Sequence, residues 1–186
     1  MEARQAETVM EKKAALFRRQ WLSLLCGALL WFTAFSLGWF NAPEHSTEIT
    51  RVRQEPDWDL FLEILMRNVG VSAALFLGVI TAGVATIPVA MVTGALAGYS
   101  WGQAVPVLGV TGVSRHLLPH MPLELVSIAI AVGAGLVPLV AWARSGLGRR
   151  LSGAEWWSQV VDACRLWAVS LSGLVIAAGV ETWVST

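Results

Sequence analysis

Between Arg67 and Arg115 no side chain carries a formal charge. A bilayer's hydrocarbon core is about 30 Å thick and a helix rises about 1.5 Å per residue, so about twenty apolar residues make one crossing. The charge-free stretch is long enough for two crossings. Inside lipid every backbone N–H and C=O must be bonded within the protein, and uncharged segments of this length meet that demand as helices. Composition agrees, because 55% of the 186 residues are hydrophobic, only 14% are charged, and the charges fall in separate blocks. The formal net charge is zero and neither a basic face nor zinc-finger spacing occurs, so nucleic acid is set aside as a partner.

The blocks of charge order the chain. Residues 1–20 carry Arg4, Lys12, Lys13, Arg18 and Arg19 and are expected to form a cytoplasmic basic arm. The apolar block from Trp21 to Phe40 is too long for a signal-peptide core and ends without a small-residue cleavage pattern, so it is expected to remain as the first span. Residues 41–67 hold Glu44, Glu48, Glu55, Asp57, Asp59 and Glu63 and fit an extracytoplasmic loop. Within that loop "DWDLFLEILMRN" has the pattern of an amphipathic helix lying at the surface. Further spans are expected over residues 69–87, 89–105, 119–142 and 166–184, with Pro88 marking a turn between the second and third. Arg144, Arg149 and Arg150 place the loop before the last span inside.

The expected fold is therefore an all-α polytopic bundle of about five helices, amino terminus inside and carboxyl terminus outside, with residues 21–186 as one membrane domain. Trp21, Trp39, Trp142 and Trp183 fall near span ends, where aromatic anchors sit. Cys26 and Cys164 lie in or beside apolar spans, which argues against a disulfide framework. Ala90, Gly94, Gly98 and Gly102 recur every four residues and set a stripe of small side chains for close helix packing. A phosphate-binding loop would need a Lys-Ser or Lys-Thr after such glycines, and none follows.

Against this apolar background "SRHLLPHMPLELVSIAI" stands out. Pro119 and Pro122 suit the first turn of a helix, where backbone N–H groups have no intrahelical acceptor. His120 and Glu124 are four apart and share a face, while His116 precedes the helix and can fold back towards them. The alternating topology brings Glu181, near the outer end of the last span, to the depth of Glu124, and Arg67 and Asn68 to the same level. Ionisable residues at membrane depth are a functional hypothesis by default.

Two chemistries justify such a cluster, and both stay open at this point. Imidazole and carboxylates suit zinc, whose catalytic sites keep three protein ligands and one open position. His120 and Glu181 are then ligands, Glu124 a ligand or the general base, and His116 an additional ligand. Alternatively, Glu124 or Glu181 pairs with Arg67 or Arg115 in a buried network that does no chemistry. His45 has no partner at metal-ligand spacing, and neither Ser127 nor Cys164 has the adjacent base that a nucleophile needs.

Four separated pieces carry a resemblance over roughly residues 60–186. They are Asn68 opening an apolar helix, "GVITAGVATIPVAMVTGALAG", "LPHMPLELVSIAIAVGAGL" and "IAAGVETW". In these the chain resembles the stage II sporulation protein M family of bacterial integral membrane proteins, which includes accessory proteins of circular bacteriocin clusters. His120, Glu124 and Glu181 match the polar residues of the family pattern, and His116 does not belong to it. The chain departs from the pattern at Met121, where the family has glycine, and at Thr93, where it has asparagine.

The resemblance implies a bacterial plasma-membrane location and a link to envelope remodelling or to maturation and export of membrane-active peptides. Two functions compete on these grounds. One is a zinc-dependent membrane peptidase acting on a precursor peptide at the outer leaflet. The other is a non-enzymatic scaffold or export partner that contacts lipid and a second copy or another membrane subunit.

Overall fold

The computed structural model describes residues 15–43, 55–146 and 151–184, without the side chains of residues 110, 113, 114 and 116. Arg4, Lys12, Lys13, Glu44, His45, Glu48, Arg149, Arg150 and the imidazole of His116 lie outside the described residues. Every regular element among the described residues is helical: α1 (Trp21–Phe40), α2 (Trp58–Phe76), a 3-10 turn (Leu77–Thr81), α3 (Thr86–His116), α4 (Met121–Arg144) and α5 (Gly153–Val184). This is the polytopic helical bundle expected from the sequence.

Helix direction alternates along the chain. Arg19 and Gln20, just before α1, bond Asp162 near the start of α5. At the other end Trp58, opening α2, meets Trp183 of α5 with ring centroids 5.0 Å apart. α3 runs parallel to α1, since Gly94, Gly98 and Gly102 face Trp31, Phe35 and Trp39 in turn. The two chain ends of the bundle therefore lie at opposite faces.

Four stretches are long and apolar enough to cross a membrane: Trp21–Phe40, Trp58–Thr81, Met121–Arg144 and Gly153–Val184. α3, expected as the third span, is not in that set. It contains Thr93, Tyr99, Ser100 and Gln103 and breaks at Gly109, whose φ of 65° and ψ of 171° only glycine adopts readily. Its place beside α1 and the alternation of direction still make it a full pass of the bundle.

Boundaries differ from the sequence expectation in four places, the first being that α3 runs on to His116 across its break at Gly109 instead of ending near 105. The acidic amphipathic segment and the second span form one continuous helix, because Leu60, Asn68, Ser72 and Leu75 make a single buried stripe along α2 while Asp59, Glu63 and Arg67 stay exposed. The turn before α3 is built by Ala82 (φ 54°) and Gly83 (φ 91°), and Pro88 sits in the first turn of α3. Finally, α5 begins at Gly153 rather than near 166. Its start is a capping box, in which the Ser152 N–H donates to Glu155 Oε2 at 2.8 Å and the Glu155 N–H to Ser152 Oγ at 3.3 Å.

α4 is the central helix, buried from Ser127 to Pro138 apart from the half-buried Ile130. Its small residues let neighbours approach closely. On one side Ser170 Oγ donates to the Ser127 carbonyl at 2.7 Å, and Trp167 Nε1 donates to Ser72 Oγ at 2.9 Å, tying α4, α5 and α2 together. On the outside of the bundle Leu29, Phe40, Ile80, Leu96 and Ile176 are exposed, as lipid-facing side chains should be.

The glycine stripe sits where α1 and α3 touch. A Cβ on Gly94 would lie 2.9 Å from the Trp31 carbonyl oxygen, and one on Gly98 would collide with that of Phe35. Gly98→Leu is accordingly expected to force the two backbones apart and abolish a stable fold in detergent. Gly70→Ala, where nothing lies within 4 Å, should melt like the parent. Thermal melting and size-exclusion profiles of the two variants test this, and a parent-like Gly98→Leu would remove the seam from the fold.

Candidate metal centre

The first turn of α4 positions the site. His120 is its N-cap residue, and the N–H groups of Leu123 and Glu124 both donate to the His120 carbonyl at 3.1 Å. Pro122, at the second helical position, removes a donor that has no acceptor there. This turn holds the His120 imidazole inward, 4% exposed, and aims Glu124 along the same face.

α5 supplies the second carboxylate from its last turns. His120, Glu124 and Glu181 each offer a ligand atom, and these atoms lie within 4.8 Å of one another. His120 Nε2 is 3.9 Å from Glu181 Oε2. Two atoms bound to one zinc at about 2.1 Å each are at most about 4.2 Å apart. The histidine–glutamate distance already fits a shared ion, and the widest separation needs only a small side-chain adjustment.

α2 completes the cluster. The buried Asn68 side chain hydrogen-bonds Glu124, and the charge of Arg67 acts on both Glu124 and Glu181. Arg67 itself points outward, where it pairs with Glu63 one turn earlier at 3.7 Å. Around the two glutamates the structure thus gathers a Glu124–Asn68 bond, a His120–Glu181 contact and the nearby charge of Arg67. Arg115 is exposed. Ser127 is committed elsewhere, since its hydroxyl donates to the Leu123 carbonyl at 2.6 Å.

At the other end of the bundle lies a buried network that sequence reasoning misses. Asp162, 2% exposed, accepts from Arg19 Nε and Nη2, from Gln20 Nε2 at 2.8 Å, and lies 3.6 Å from Arg165. Gln20 also donates to Gln159 Oε1 at 3.1 Å. The signal that could have found it is an acidic residue inside an apolar helix, with an arginine adjoining a span at the same membrane face.

Long alternating helices, an apolar exterior and polar or ionisable groups from three helices gathered at one end of the bundle define a polytopic membrane protein with a candidate ligand cluster. The chain belongs to the stage II sporulation protein M family, whose family model matches residues 24–186. Comparison with curated proteins and with solved structures gives no match.

Proposed function

We propose that the protein is a metal-dependent hydrolase of the bacterial plasma membrane, a peptidase that processes a precursor peptide at the outer leaflet. The observation that carries this reading is the convergence of His120, Glu124 and Glu181, from two helices, to within 4.8 Å. Orientation follows from the arginines: Arg18, Arg19 and Arg144 mark the far end of the bundle as cytoplasmic, so the cluster faces out. A divalent ion bound there, zinc by the donor set, would supply Lewis acidity and a water acidic enough to ionise near neutral pH.

The chain's own groups divide the remaining work. His120 is buried and fixed by the helix start, which suits a constant ligand. Glu181 is one-third exposed and borders the outside, which suits a ligand that meets incoming substrate. Glu124 is oriented by Asn68, an outer partner of the kind that positions ligating carboxylates, and serves as ligand or as acceptor of the water's proton.

A second reading has its own support. His120 and Glu181 already contact each other, and Asn68 already satisfies Glu124, so the cluster can also hold three helices together in a scaffold or export subunit. Metal analysis of the purified protein, paired with peptide cleavage in membranes before and after chelation, separates the two. The hydrolase should hold close to one ion per chain and lose cleavage on chelation. Full cleavage by metal-free protein would end the metal mechanism, and bound metal without cleavage would favour the scaffold.

A further inference from the structure

The cytoplasmic end of the bundle contains two cavities that the proposed chemistry does not use. One, about 310 Å³, has a mixed lining whose polar part comes from Arg19, Gln20, Arg144, Ser145, Glu155 and Gln159. The other, about 590 Å³, is apolar and is lined by Val84, Leu139, Trp142 and Trp156. Leu151 borders both. The end of α4 separates the linings, with Leu139 and Trp142 on the side of the apolar cavity and Ala141, Arg144 and Ser145 on the other.

From this juxtaposition we infer that the protein binds an anionic phospholipid of the cytoplasmic leaflet, with the headgroup phosphate in the smaller cavity and an acyl chain in the apolar one. Charge favours an anion. Arg144 is exposed and makes no ion pair among the described residues, and with Arg19 it outnumbers the one carboxylate of the lining, Glu155. Arg19 spends its fork on Asp162, yet its side chain remains 53% exposed and keeps N–H groups for a second acceptor. Gln159, whose Oε1 accepts from Gln20, keeps its amide N–H groups as neutral donors suited to phosphate oxygens, whereas those of Gln20 and the hydroxyl hydrogen of Ser145 are already committed.

Depth favours a lipid over a free anion. Both cavities lie at the helix ends where headgroups sit, Trp142 and Trp156 are interfacial residue types, and basic pockets between helices on this side take acidic headgroups. The apolar cavity has no use for an inorganic ion.

The test is a titration of the full-length protein in neutral detergent with phosphatidylglycerol, phosphatidylcholine or inorganic phosphate, read as the rise in Tm. Phosphatidylglycerol should raise it saturably and the other two should not. Arg144→Gln, at an exposed position, should weaken the phosphatidylglycerol response roughly five-fold, the effect of about one cation at a membrane surface. Arg165→Gln, a cation at the same end but outside both linings, should leave it intact, and Trp142→Ala should weaken it through the chain. Equal responses to phosphatidylcholine, or an unaltered response in Arg144→Gln, would overturn the headgroup assignment. A response to phosphate alone would overturn the lipid as the source of the anion.

Discussion

His120→Ala, Glu124→Gln and Glu181→Gln are each expected to strip divalent metal from the purified protein and to stop peptide cleavage, while leaving the chain inserted in the membrane. Each substitution removes one of the three ligand groups gathered at the site among the described residues, and the glutamines keep the shape of the carboxylates while removing their charge. Insertion should persist because it depends on the apolar helices, and a neutral side chain at this depth costs less than a charged one. Occupancy of the wild type should also fall as pH drops, since protons compete for the imidazole and both carboxylates. His116→Ala is expected to be milder, because the sequence makes that residue an accessory ligand only. Metal content and cleavage measured on the same membranes check the set. Retention of metal by all three principal variants would move the ion away from this cluster.

Most of this site is legible in the sequence. His120 and Glu124 declare a shared helix face by their spacing, and Glu181 reaches them by the arithmetic of alternating spans. The same arithmetic sets Asn68 at the right depth but leaves its role unreadable, since only the buried stripe of α2 shows that it turns inward while its neighbour Arg67 turns out. Charge misleads along α2. Asp59, Glu63 and Arg67 suggest a separate surface helix, although one exposed face can carry charges while the opposite face continues into the span. α5 is longer than expected for a similar reason. Asp162 and Arg165 set its expected start, whereas the capping pair Ser152 and Glu155 marks the true one.

Arg19 and Asp162 stand 143 positions apart, so no local pattern could pair them, and their pairing leads to the second large effect. Arg19→Met is expected to destabilise the bundle by roughly 3 kcal/mol, the low end of the range for orphaning a buried charge, because the half-exposed arginine leaves water some access. The cost resides mainly in Asp162, which is 2% exposed and would keep only Gln20 and the more distant Arg165 as partners. Removing the orphaned charge should therefore restore stability. The double variant Arg19→Met with Asp162→Asn is expected to melt above Arg19→Met alone, and Asp162→Asn by itself should fall between parent and single arginine variant. Thermal or chemical denaturation in one detergent completes the double-mutant cycle. Additive losses, with no recovery in the double variant, would mean that the pair is not coupled and that the amino-terminal segment is held to α5 by packing and the Gln20 hydrogen bonds.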